Sequence, residues 1–218
     1  MQIEAILFDF DNTLGNRDGS AYNTYRNMLL EHTDLVKDEL LLEAACQDCI
    51  TWEQSGTYDK NFVIDNLNKK YNLNLDLGNF NTYWETHCGQ GYELFEDTIP
   101  TLKKLKEKYR LAILSNGDSN GQRSKMVNSD VTSYMEFVMI SGDYPYKKPD
   151  VRFFQEAINK FNLPAEKILY VGDVFSNDAF GAIRAGMQSI SIYTNPYRRH
   201  DEKYMVINKI SDLCNILL

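Results

Sequence analysis

The apolar run "AILF" (5–8) leads straight into Asp9 and Asp11, with one phenylalanine between the two carboxylates. Taking a carboxylate out of water is costly unless a cation or a proton donor compensates it. On a continuing strand both would share a face, about 6.6 Å apart along the backbone, and repel each other. Comparable groups close the other apolar runs. Ser115 and Asn116 end "LAILSN", Asp173 ends "ILYVGD", and Lys147 and Lys148 follow "FVMIS" by a short loop. Together these groups suit phosphoryl transfer with Mg2+. That metal takes oxygen ligands, commonly one or two carboxylates plus waters and substrate phosphate. Asp9 and Asp173 are its candidate holders, and the cation offsets their repulsion. A carboxylate can attack phosphorus directly and form an aspartyl phosphate. A second acid protonates the departing alkoxide and later activates water. Asp9 and Asp11 divide those two tasks, while Ser115 and Lys148 bind the phosphoryl oxygens as charge redistributes.

Each residue also has an ordinary reading. Asp11 can open a turn in "DNTLG", and Ser115 can cap a helix in "SNGDSN". Lys148 can be a loop lysine before a proline-started helix, and Asp178 a first-turn acid that favours the helix dipole. Asp173 resists such a reading, because it ends an apolar strand as Asp9 does. The ordinary readings must all hold at once, which favours a common site.

The elements that would position these residues follow from hydrophobic periodicity. "ILF" (6–8), "LAILS" (111–115), "FVMIS" (137–141), "ILYVG" (168–172) and "SISIY" (189–193) read as strands. Residues 119–130, 150–162, 176–186 and about 210–217 read as helices. Short apolar strands alternating with amphipathic helices predict an α/β fold: a doubly wound parallel sheet, Rossmann-like, with helices on both faces. Ligands in such sheets bind at the carboxyl ends of the strands, where the groups above collect. Between about 16 and 92 the pattern turns helical, giving an insert of four or so helices. Polar links near Gly15–Gly19 and Gly89–Gly91 read as its hinges.

Composition narrows the partners. The chain carries 23 basic and 31 acidic residues, a net charge of −8, which argues against nucleic acid as a polyanionic partner. Residues 15–92 hold 6 basic and 12 acidic side chains and account for most of that imbalance. No apolar run reaches the roughly 18 residues of a membrane span, and Met1–Glu4 bring no basic region before the apolar stretch. A cytoplasmic protein acting on a small phosphate ester is the expectation, with neither membrane nor nucleic acid as partner. Cys46 and Cys49, three apart on a helical face, can be joined with His87 and Cys88 in a zinc reading. Nothing fixes that spacing, so buried thiols are expected there, and the four cysteines, Cys214 among them, suggest a reducing compartment.

The motifs "FDFDNTL" (8–14), "LSNG" (114–117), "KKPD" (147–150) and "GDVFSNDAFGAIRAG" (172–186) together resemble the haloacid dehalogenase-like hydrolase superfamily. The resemblance covers nearly the whole chain, and the position of the insert resembles the subfamily with a helical cap after the first motif. It implies a core of residues 1–15 and 93–218 and a helical cap domain of residues 16–92. By that resemblance Asp9 matches the nucleophile and metal ligand. Asp11 matches the acid/base, its main-chain carbonyl also on Mg2+. Ser115 and Asn116 match the phosphate-binding pair, and Lys148 rather than Lys147 the motif lysine. Asp173 matches the acidic metal ligand and Asp178 a supporting acid. True 2-haloacid dehalogenases of the superfamily lack the acid at Asp11 and the "GD" of the last motif, so dehalogenation is disfavoured. The implied activity is Mg2+-dependent phosphomonoester hydrolysis. A nucleoside 5′-monophosphate is the first candidate substrate, through "ITWEQSGTY" (50–58) and the aromatic residues Trp52, Tyr58, Tyr83 and Trp84, which otherwise read as core. The alternatives are a sugar-phosphate phosphatase, a phosphomutase, or a phospho-accepting signalling module like a response-regulator receiver.

Overall fold

Ala5–Phe8 forms β1, buried at every position, as a strand covered on both faces requires. In this computed structural model, which describes residues 2–56, 58–89, 91–193, 201 and 203–218, the chain then leaves the sheet. Its next helices are α1 (Arg17–His32), α2 (Glu39–Glu53), α3 (Lys60–Tyr71) and α4 (Phe80–His87). It continues through α5 (Thr98–Lys106), β2 (Arg110–Ser115), α6 (Ser119–Asn128), β3 (Phe137–Ile140) and α7 (Val151–Phe161). The last elements are β4 (Ile168–Gly172), α8 (Ala179–Arg184), β5 (Gln188–Ile192), β6 (Val206–Ile207) and α9 (Asp212–Leu217).

All strand pairings are parallel, in the order β3-β2-β1-β4-β5-β6. The chain winds one way from β1 to β3 and the other way from β4 to β6. The carboxyl ends of β1, β2 and β4 therefore adjoin at the switch in strand order, where open α/β sheets hold their ligands. Alternation along the strands sends Ala5, Leu7, Ala112, Leu114, Ile168 and Tyr170 to one face. There they pack against Phe153, Phe154 and Phe161 of α7.

The chain divides into two compact units, Met1–Asn16 with Leu94–Leu218, and Arg17–Glu93. The second unit has its own apolar core, built from Tyr25, Met28, Leu42, Ala45, Cys46, Cys49, Val63, Leu67 and Phe80. Cys46 and Cys49 are free and buried there, and burial pushes the Cys46 thiol up to about 11. No described helix is long and apolar enough to cross a membrane.

Three expectations need correction. Asp11 does not continue the strand: β1 ends at Phe8, and Asp11 lies in a turn closed by Gly15 N–H to Phe10 O at 3.0 Å and Asn12 N–H to Gly15 O at 2.7 Å. Asn12, at φ 57°, supplies the left-handed residue that this turn needs. Gly19 lies inside α1, so the first link is shorter than expected, and Gly15 is bridged to Leu94; Gln90 of the second link lies outside the described residues. Finally, α5 and the two-residue β6 had no counterpart in the sequence reading. α5 is short and lysine-rich toward its end, and two residues are too few for an alternating pattern.

The helical unit contains one costly polar cluster. Glu53 is fully buried at the end of α2, with Arg17 Nη1 at 2.5 Å and Lys60 Nζ at 2.7 Å. Lys60 Nζ also sits 4.7 Å from the Trp84 ring centre. Although burial opposes its charge, the two cations hold the Glu53 carboxyl below its ordinary value. A lowered carboxyl stabilises the fold above its unfolded pKa, and that stability is lost as pH falls through the folded one. Glu53→Gln should therefore cost about 3–5 kcal/mol at neutral pH, because it takes the buried carboxylate away from Lys60 and leaves Arg17 with its longer pairing to Asp18, at 3.3 Å. The deficit should shrink in acid. Denaturant unfolding at pH 7 and pH 4 checks this, and an unchanged midpoint at pH 7 would refute it.

Candidate active site

Lys148 organises the charges at the carboxyl edge of the sheet. Its ammonium is buried and spends its three protons on Asp9 Oδ1 at 2.7 Å, Asp178 Oδ1 at 2.7 Å and the Tyr170 hydroxyl at 2.9 Å. Although burial opposes its charge, the Asp178 and Asp9 carboxylates hold Lys148 above its ordinary pKa. Lys147, next to it, is exposed. The loop carrying Lys148 is stapled to the end of β2: Asn116 Nδ2 donates to Lys148 O at 3.0 Å, and Lys148 N–H donates to Asn116 Oδ1 at 2.9 Å. The side chain of Asn116 thus holds two loops together, which leaves its main chain for any phosphate contact.

Asp9 stands where β1 ends, its N–H bonded to Val171 O of β4 at 2.8 Å. Burial pushes its carboxyl up to about 6 against the pull of Lys148, with Asp178 and Asp11 adding to the rise. Asp178 opens α8, and Val174 N–H donates to its Oδ2 at 2.9 Å. Gly172 makes room for it, since a Cβ there would lie 2.5 Å from Asp178 Cγ. Asp9, Asp173 and Asp178 are all buried and offer carboxylate oxygens within 4.8 Å of one another. An all-carboxylate donor set fits a hard divalent ion such as Mg2+ and does not resemble a nitrogen and sulfur site for zinc.

Ser115 is buried at the end of β2, and Asp11 faces it across the side chain of Gln122, 3.0 Å from the serine Oγ and 2.8 Å from Asp11 Oδ2. Lys125 Nζ lies 3.1 and 3.2 Å from the two Asp11 oxygens. The seven sequence-derived residues thus gather at the ends of β1, β2 and β4 and on the adjoining loops. Three further residues join them. Tyr170 bridges Lys148, Asp178 and Leu114 O, at 2.9, 3.0 and 3.1 Å, and burial raises its hydroxyl well above the ordinary range. Its signal in the sequence was a hydroxyl inside an otherwise apolar strand. Gln122 and Lys125 carry no such signal, since α6 has few apolar residues to mark a buried face.

Of the four aromatic residues weighed for base stacking, three are engaged within the helical unit. Trp84 packs on Tyr25 with centroids 5.0 Å apart, Tyr83 lies between Phe80 and His87 at 5.3 and 3.9 Å, and Trp52 packs against the unit's core. Tyr58 is half exposed and stacks on Phe62 at 5.4 Å; Thr57 beside it lies outside the described residues.

Comparison with known proteins shows the family and the fold. The haloacid dehalogenase-like hydrolase family matches residues 6–192. A glyceraldehyde 3-phosphate phosphatase of Methanothermobacter thermautotrophicus is 30% identical over 99% of this chain and 100% of its own length. The human N-acylneuraminate-9-phosphatase is 23% identical, over 86% of this chain and 81% of its own. Among solved structures, the Bacillus subtilis HAD-hydrolase YfnB, bound to magnesium, superposes with a TM-score of 0.79 at 19% identity. That match covers 100% of this chain and 99% of YfnB.

Proposed function

Since the chain belongs to the haloacid dehalogenase-like hydrolases and is a phosphatase of that family, we propose that its substrate is a small sugar phosphate of the triose-phosphate kind. The observation that carries the chemistry is the buried Lys148 between Asp9 and Asp178, beside Asp173. The full-length likeness to a triose-phosphate phosphatase supports the substrate class. The nucleotide reading loses part of its support, because Trp52, Tyr83 and Trp84 pack within the helical unit. Residues 16–92, taken as a cap domain, choose among esters in this reading.

Asp9 attacks the phosphorus and carries the phosphoryl group as an aspartyl phosphate. Lys148 and Ser115, with the main chain at Asn116, hold the phosphoryl oxygens. Asp11 gives its proton to the leaving alkoxide and then takes one from the attacking water. Asp178 and Tyr170 keep Lys148 aimed. Asp9, Asp173 and the Asp11 main-chain carbonyl, with Asp178 in support, would hold Mg2+, which when bound would supply positive charge beside the transferring group.

The test is a panel of phosphate esters with purified protein. Triose and other small sugar phosphates should be hydrolysed with kcat/KM at least about tenfold above nucleoside 5′-monophosphates. EDTA should abolish activity and Mg2+ restore it, whereas Ca2+, with its looser and larger coordination, should not support turnover. A nucleotide at the top of the ranking would overturn the substrate class. Sustained isomerisation of a sugar phosphate without phosphate release would identify a mutase instead. Full activity after exhaustive chelation would contradict the metal assignment.

A further inference from the structure

We propose that Gln122 and Lys125 of α6 are positioning residues for Asp11, holding its carboxylate for proton transfer at a fixed distance from the phosphate-binding Ser115. The inference rests on the reading of Asp11 as the acid/base.

Asp11 sits in a turn, where a carboxylate can rotate toward water. Two donors three residues apart on one helix face remove that freedom. Lys125 Nζ meets both carboxylate oxygens, at 3.1 and 3.2 Å, and Gln122 Nε2 meets Oδ2 at 2.8 Å. The same Nε2 lies 3.0 Å from Ser115 Oγ and 2.9 Å from Asn116 O. One amide therefore touches the proton-handling group and the phosphate-gripping loop together, so their separation is set by a single side chain.

Both residues are placed at a cost that general packing does not explain. Gln122 and Lys125 are 3% and 8% exposed. Gln122 Oε1 is buried with no partner among the described residues. An apolar side chain would avoid that unmade hydrogen bond, so the amide's value lies in its donor end. The helix is also anchored for the task. Asp118 caps it, accepting from Asn120 and Gly121 N–H at 2.9 Å each. On another side Ser119 and Arg123 both bind Asp143, each at 2.6 Å. Gly117, at φ 151°, leaves the space that Gln122 fills, since a Cβ there would come within 2.7 Å of Gln122 Cγ.

Lys125→Met, Lys125→Arg and Gln122→Met are compared with Asp11→Asn on 4-nitrophenyl phosphate and on an alkyl ester, glycerol phosphate. A nitrophenolate leaves without a proton and an alkoxide does not, so faulty placement of the acid shows mainly on the alkyl ester. Lys125→Met should lower kcat/KM, which reports the phosphorylation step, by about 10- to 100-fold on glycerol phosphate. The loss of kcat/KM on the aryl ester should be several-fold smaller, and Lys125→Arg should recover most of the activity. In the Asp11→Asn background the same change should alter kcat/KM less than about twofold, because the group to be positioned is gone. Gln122→Met carries the same readout if the lysine variant does not fold. Equal losses of kcat/KM on both esters would overturn the proposal while Asp11→Asn still discriminates between the esters. If Asp11→Asn itself shows no such discrimination, the acid/base reading fails and the proposal falls with it.

Discussion

Asp9→Asn is expected to lower kcat by about 10^4-fold or more on every phosphate ester, the scale seen when a nucleophile is removed from an otherwise complete site. The substitution keeps the side chain's size and one carbonyl oxygen, so the fold at the end of β1 should survive. It loses the attacking oxygen and one negative charge facing Lys148, which stands 2.7 Å away. Beryllofluoride, a phosphoryl mimic that adds to an aspartate, should bind the native protein with Mg2+ and leave the variant unmodified. Circular dichroism and the unfolding midpoint separate loss of chemistry from loss of structure. Turnover within about tenfold of the native rate would remove Asp9 from the mechanism.

Lys148→Met should act on stability and on catalysis together. The buried ammonium holds Asp9, Asp178 and Tyr170 at once, and its removal takes the cation from two buried carboxylates. Breaking a buried ion pair from one side costs about 3–5 kcal/mol. Loss of a preorganised donor to the transferring group costs about 10^2- to 10^3-fold in kcat. The two effects separate through Mg2+. A cation bound among the same carboxylates replaces part of the missing charge, so Mg2+ should raise the variant's melting temperature more than that of the native protein. Activity should not return, since in the proposed mechanism the metal does not replace the contact of Lys148 with the phosphoryl oxygens. An unchanged melting temperature would show that Lys148 does not balance the buried carboxylates.

The carboxylates were legible in the sequence for a plain reason. A charge at the end of an apolar strand is costly wherever that strand is buried, so Asp9 and Asp173 could be singled out with no knowledge of their partners. Lys148 and Ser115 were legible because parallel strands put their carboxyl ends on one edge. The partners of Asp11 were not. Gln122 and Lys125 lie 111 and 114 residues from it. On a short helix with few apolar residues, glutamine and lysine look like a solvent face, and only the packing of α6 shows that this face is buried. Tyr170 was hidden differently. In a strand it counts as an apolar residue by pattern, and its hydroxyl matters only once Lys148 and Asp178 are placed beside it. Asp11 had two placements in sequence, on a continuing strand or in a turn at "DNTLG", and the turn is what forms, with Asn12 left-handed and the chain reversing at Phe10–Gly15. The aromatic residues of the helical unit had two readings in sequence, and their packing on Tyr25, Phe80 and His87 favours core.

The central claim is that Asp9 carries the phosphoryl group, and it is tested most directly by trapping that species. Asp11→Asn should still be phosphorylated by 4-nitrophenyl phosphate, whose leaving group needs no proton, but should activate water poorly, so the phosphorylated protein accumulates. Acid quench during turnover, followed by peptide mapping, should place a hydroxylamine-labile phosphate on Asp9. Release of nitrophenolate and phosphate together, with no phosphate on the protein or with phosphate on any other residue, would contradict the account.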